Sequence, residues 1–579
     1  MSFKHCLLTG AVFLIACGGG SGSNTNSGQT LSPPPPPPPP PPATKIDTSQ
    51  DASRFISIGG FGDDEAALET LVDQTAEDWL TQQLSMPHSS YLDQTVTRQN
   101  IIGEKGPVNR AHNIVFWKRM IEGDDQLRHR MAYALSQIIV VSDRSIGNTK
   151  AMAYYMDVLA NNAFGNYKDI LKEVTYAPAM ADYLTYLNNK KANEKTGRMP
   201  DENYAREILQ LFSLGVNALN MDGTLKLDGA GNPIPTFTND DVGGLAKVFT
   251  GLKLDQEAAE EWQDRFVFPL IIEERNHSEK EKTFLGTTVT ENTGAAASID
   301  QALTTIFDHP NVAPFISRQL IQRFTASNPE PAYVQRVSNA FESGTFTSPD
   351  GAQYGSTGRG DLSATLAAIL LDESQFDDSE KTAGSGDLTD IGKIREPVLN
   401  FVHWARAFKV APASTEIEGM LIWDTDKNLG QSPLGSLSVF NFYRPGFIPG
   451  DTQAGNQNLT VPEMQLVNAA SRNAYIDFMT TFIMDRSYTL TDEQDVVSFK
   501  PDYSDLIAVS DNVPQIIEHL DTVLTAGRMR ESTKTNITDL LAEVEVRTDS
   551  PENEADDKLL RAELAVLVAV TSPEYMTQQ

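Results

Sequence analysis

The chain has 579 residues with 46 basic and 78 acidic side chains, a formal charge of −32 spread along its length. That balance argues against nucleic acid as a partner, because no basic surface is available to neutralise phosphates, and against direct adsorption to anionic lipid. It has two cysteines, Cys6 and Cys17, too few for a disulfide framework or a thiolate metal site. A chain of this length can stand without either, since a large core buries most of its apolar surface.

At the N-terminus, Lys4 and His5 precede an apolar stretch from Cys6 to Ile15 that closes on Leu14-Ile15-Ala16-Cys17. A charged start, an apolar run of about ten residues and small residues before a cut site are the three parts of a secretory signal. The run is shorter than the roughly 20 residues that cross a bilayer. Leu-Ile-Ala-Cys resembles the lipobox of bacterial lipoproteins. The resemblance implies a signal peptide at 1–16 and lipidation of Cys17, which would anchor the protein to the cell envelope. It also implies the outer membrane if the source has two, because Gly18 stands where inner-membrane lipoproteins commonly carry aspartate. A tether is expected over 17–50. Gly18 to Asn24 lacks apolar side chains and should be flexible, and Pro33 to Pro42 should form a polyproline rod of roughly 30 Å.

From residue 51 to 579 the patterning predicts a mainly α, large multi-helix globular body. Helices are expected at 66–84, 109–121, 126–141, 150–162, 167–176, 178–188, 202–213, 239–249, 299–308, 312–324, 330–342, 361–373, 394–408, 462–484, 512–526, 533–546 and 556–571. Thr238-Asn-Asp-Asp241 and Ser298-Ile-Asp-Gln301 have the form of capping boxes. Strand signals are local: a hairpin over 224–237 and a short strand at 283–289. No repeat of the 20–50-residue kind that marks solenoids is visible. The Ser/Gly/Asp-rich stretch 377–390 is the one linker-like break, leaving room for two lobes that meet there.

Pro200-Asp-Glu-Asn-Tyr-Ala-Arg-Glu-Ile-Leu-Gln-Leu-Phe-Ser-Leu-Gly215 resembles the signature of the bacterial DUF1800 family. Further blocks follow the family's order: Leu127 to Gln137, Asn276-His277 with Lys282 to Gly286, His309 to Leu320, Leu429 to Pro433 with Val439 to Tyr443, and Ser572-Pro-Glu-Tyr575. The resemblance spans residues 52 to 579. It implies an exported protein of undetermined function, often found beside a second exported family, DUF1501, which resembles alkaline-phosphatase-like enzymes.

On the signature helix, Asp201 is a natural cap and Gly215 a natural stop. Tyr204, Ile208, Leu211 and Phe212 share one face, with Asn203, Glu207 and Gln210 as a polar strip beside it. Glu202 and Arg206 are placed to pair. A buried Glu207 is either neutralised by a partner or held protonated for acid–base work. His277, with Lys282 five residues on, is the best candidate among the histidines. His309 instead suits the end of the helix at 299–308. Arg128, Arg130 and Arg318 suit carboxylate or phosphate, with salt bridges as the commoner use. Asp222, Asp228, Asn232, Asp240 and Asp241 offer oxygen ligands of the kind calcium takes, but their spacing is not that of an EF-hand loop, and turn and cap chemistry is the plainer use. No metal motif is recognised and no cofactor is expected. Trp117, Trp262, Trp404 and Trp423 read as core rather than sugar platforms.

Two functional readings follow. The first is a surface-anchored scaffold or binding protein whose contacts are the membrane, through Cys17, and a DUF1501-like exported partner. The second is an extracellular hydrolase of a polymer or ester, with Glu207 and His277 as acid–base pair and Asn203, Arg206, Lys282, Arg128 and Arg318 as binding residues.

Overall fold

A computed structural model describes residues 44–102, 110–376, 392–412, 425–484 and 499–578. The signal at 1–16, Cys17, the proline run, the stretch 377–390 and Trp423 lie outside the described residues.

Short polar side chains start the helices. Thr48, Thr75, Thr238 and Asn468 each close a reciprocal capping box with the residue three positions on. The chain from Pro42 to Gln579 forms one compact unit. It is mainly helical, with short two-stranded antiparallel ribbons between the helices in chain order. Thr44 and Ile46 are already buried in it, ahead of the helix Ser49–Gly59. None of the described helices is long and apolar enough to cross a membrane.

The expected helices are present with three instructive differences. The segment 66–84 is two helices, Glu65–Glu69 and Ala76–Ser85, parted by Asp73 in the left-handed region and restarted by the Thr75–Asp78 box. The segment 462–484 is a 3-10 turn, Pro462–Leu466, followed by the helix Ala469–Ile483, restarted by Asn468. Ser298 is not a cap, because its helix begins three residues earlier, at Ala295. There the Glu274 carboxylate takes the Ala295 N–H at 3.1 and 3.2 Å.

The 224–237 hairpin is observed as β-bridges joining Leu219 to Leu225, Leu227 to Pro233 and Asn217 to Pro235. The second strand is half of a ribbon, Lys282–Phe284 against Thr287–Val289. A third ribbon joins distant parts of the chain: Lys393–Ile394 pairs with Thr577–Gln578. It ties the C-terminus to the start of the helix Pro397–Ala407. Every residue of that helix from Val398 to Ala407 is buried, and Pro397 at its start is half-buried. Trp117 and Trp404 are fully buried, as expected, whereas Trp262 is 55 % exposed and lies edge-on to Phe266.

Candidate functional site

The signature helix spans Asn203–Gln210. The N-cap position is Glu202, whose side chain makes no capping hydrogen bond; Asp201, expected as the cap, stands one residue earlier and accepts the Asn203 N–H at 2.9 Å. Gly215 ends the segment in a left-handed turn where a side chain would strike Phe315. Tyr204 is buried, stacked on Tyr186 with ring centres 4.2 Å apart, and its hydroxyl meets Thr175 at 2.7 Å. Glu202 and Arg206 pair at 3.5 Å, and Arg206 also reaches Asn239 at 3.3 Å. Asn203 is exposed.

Glu207 is 6 % exposed, and its Oε2 has no hydrogen-bond partner among the described residues. Burial pushes its carboxyl up from the ordinary value, opposed by Arg206. Tyr183 stands near it, pushed up first by burial and further by the Glu207 charge.

His277 occupies a different setting. It is 2 % exposed; Nδ1 lies 2.9 Å from the Thr250 carbonyl oxygen and Nε2 lies 3.3 Å from Ser298 Oγ. The neutral ring that donates to Thr250 and accepts from Ser298 satisfies both contacts. Burial draws its pKa down, and the Lys282 charge adds to this. Lys282 is fully buried, and its Nζ has no hydrogen-bond partner among the described residues. Burial lowers it as well, with Lys247 adding repulsion. The fold therefore brings His277 and Lys282 together, while the charges that act on Glu207 come from its own helix.

The arginines serve the backbone rather than carboxylates. Arg128 donates to the carbonyls of Ala160 and Met86 at 3.1 and 2.9 Å and lies over the Phe164 ring. Arg130 donates to the Arg323 carbonyl at 2.5 Å. Arg318 is half-buried without an ion-pair partner among the described residues, and burial lowers its pKa. His309 does not supply the cation at the end of its helix. Its Nδ1 accepts the Asn311 N–H at 3.1 Å, and Arg359 donates to the carbonyls of Phe307 and His309. Asp222, Asp228 and Asp241 accept local N–H and hydroxyl hydrogens in turns and a cap.

A second polar centre went unnoticed in the sequence. Lys393, Glu396 and Glu463 have side chains with no exposure, and Arg130 and Arg323 are at most 1 % exposed. Lys393 Nζ lies 3.2 Å from Glu463 and 3.8 Å from Glu396, and donates to the Gln322 carbonyl at 2.9 Å. Glu396 Oε2 accepts from Tyr133 at 2.9 Å, Gln137 at 2.6 Å and Gln431 at 2.5 Å. These bonds and the surrounding cations hold Glu396 below the usual carboxylate range against its burial.

This cluster backs onto a cavity of about 310 Å³. The walls come from Ile394, Pro397, Leu466, Tyr475 and Met576 on the apolar side, and from Arg395, Asn400 and Glu463 on the polar side; Val467 and Arg472 also line it. Arg395 is 4 % exposed and donates Nη1 to His403 Nδ1 at 2.6 Å. His403 in turn donates Nε2–H to the Val523 carbonyl at 2.9 Å, which fixes a neutral ring. Burial, and then Arg395, drive the His403 pKa well down. The signal for this site was present in outline. Glu396, Asn400 and His403 recur at helical spacing along a stretch whose other residues, Arg406 apart, are apolar.

The sequence from residue 54 to 577 matches the family described as "Protein of unknown function (DUF1800)". The chain belongs to the DUF1800 family. No curated protein and no solved structure matches it. The family blocks thus gain places in this DUF1800 body. The signature helix carries Glu207, the middle block carries His277 and Lys282, and Leu429 and Pro573 from the late blocks line the cavity.

Proposed function

We propose that this DUF1800 protein is an exported binding protein, held at the cell envelope by a lipid on Cys17 and working with an exported partner of the DUF1501 type. The cavity beside Arg395 carries this reading. Its size falls at the lower end of small-molecule sites, and it has the makeup of one: mostly apolar walls with a few convergent polar groups. The tether supplies reach, setting the body clear of headgroups and surface sugars.

The anchor is tested by labelling cells with a radioactive fatty acid. Label on the wild type that disappears in Cys17→Ala supports the anchor, and equal label in both contradicts it. The partner is tested by pull-down from solubilised envelopes, where recovery of no exported protein counts against the scaffold role.

A second reading, hydrolysis of an extracellular polymer or ester, rests on Glu207. A carboxyl raised by burial and carrying a free oxygen has the character of a general acid. In this reading His277 would have to release Thr250 or Ser298 before taking a proton from a substrate. Loss of turnover in Glu207→Gln with unchanged stability at pH 4 is the outcome this reading requires.

A further inference from the structure

Arg395 sits in an unusual electrostatic position. Its guanidinium is almost wholly buried, lines the cavity, and spends one N–H on a neutral histidine. Its Nε is without a hydrogen-bond partner among the described residues, and so is the side-chain oxygen of Asn400 on the same wall. Among the described residues no carboxylate forms an ion pair with Arg395; its flat neighbour is the Tyr575 ring, 5.3 Å away.

The surroundings do not supply the missing charge. Arg130, Arg323, Lys393 and Arg395 are four buried cations facing two buried carboxylates, Glu396 and Glu463. Both carboxylates are within 4 Å of Lys393. A buried charge without a partner is destabilising by several kcal/mol in general, so a positive surplus at a cavity wall favours an anion from outside. In a chain of charge −32 a cationic surplus is the exception and is not background.

We propose that the cavity binds an amphipathic monocarboxylate, its carboxylate on the Arg395 guanidinium and its hydrocarbon chain against Tyr475, Leu466 and Met576. This rests on the binding reading above and names its ligand class. A monoanion fits better than a phosphate dianion, because Arg395 shares the wall with the Glu463 carboxylate. Repulsion from Glu463 is limited, since Lys393 at 3.2 Å and the Ser327 hydroxyl at 2.8 Å already hold it. The apolar remainder of the lining suits a chain of methylenes, which gains by leaving water. At the rim, Val467 is 38 % exposed and Arg472 is exposed.

The test is calorimetric titration of the full chain carrying Cys17→Ser, so that no anchor lipid or detergent competes. The probes are decanoate and 1-decanol. The proposal expects one decanoate per chain and a decanol affinity roughly tenfold or more lower, the scale of a lost charge-assisted hydrogen bond. Arg395→Gln should weaken decanoate to the level of decanol, and Val467→Trp, on the exposed rim, should weaken both while leaving the fold intact. Equal affinity for decanoate and decanol overturns the carboxylate assignment and leaves a binding protein for neutral apolar ligands. Full decanoate affinity in Val467→Trp overturns the location. No binding of either probe overturns the proposal, while the scaffold reading stands or falls by the envelope pull-down.

Discussion

Glu207 and Gly62 make opposite demands on their surroundings, one of charge and one of space. Burial raises the Glu207 carboxyl above its ordinary value, so the folded chain holds this proton to higher pH than the unfolded chain does. The folded state therefore binds more protons than the unfolded state over that range, and this group's contribution to stability falls as pH rises. Glu207→Gln removes that loss. Urea denaturation should find the variant gaining stability relative to wild type on going from pH 4 to pH 8, and an unchanged difference would contradict the raised carboxyl. Gly62 has φ +92°, and a Cβ there would enter the His403 ring. Gly62→Ala combines backbone strain with overpacking and should cost about 1–3 kcal/mol or more by the same measurement. A neutral result would mean that His403 is not held against this turn.

At the level of elements, Glu396 joins helices that are far apart in sequence. It accepts from Tyr133 and Gln137 on the helix Gln126–Ile138 and from Gln431, and it shares Lys393 with Glu463. Glu396→Ala leaves four buried cations, Arg130, Arg323, Lys393 and Arg395, with one carboxylate, so it should destabilise by about 3–5 kcal/mol in chemical denaturation. A change below about 1 kcal/mol would show that water already reaches this cluster. Most helices were legible because Leu127, Met131, Leu135 and Ile138, and sets like them, repeat at helical spacing. The breaks at Asp73 and Asn468 were not, because the apolar pattern continues in phase across them while a short polar side chain restarts the helix. The cavity wall was not legible either. Lys393-Ile-Arg395-Glu396-Pro397 looks like the charged approach to a helix. Its burial depends on pairing with Thr577–Gln578, which no local pattern records. Glu207 and His277 were each picked out by residue type, but chemistry between them depends on tertiary placement, and spacing along the chain carries none of that.

Across the whole molecule, His112, His129, His277, His309 and His403 all lie below the ordinary histidine value, with burial the largest cause in each. Below pH about 6.5 the unfolded chain takes up protons that these folded sites refuse, so their contribution to stability is present above that pH and lost as pH falls. His403 is displaced furthest in direction, well below 6.5. His403→Gln cannot charge yet can still accept from Arg395 and donate to Val523. It should flatten the fall in Tm between pH 7 and pH 5, and an unchanged slope would place the acid sensitivity elsewhere. The central claim is that binding takes place where the C-terminal ribbon, the helix Pro397–Ala407 and the helix Ala469–Ile483 meet. Hydrogen exchange of the full chain with and without decanoate tests it most directly. The prediction is slowed exchange confined to residues 393–407, 463–475 and 571–577. Exchange unchanged there, or slowed instead around Asn203–Gln210 and His277, would contradict it.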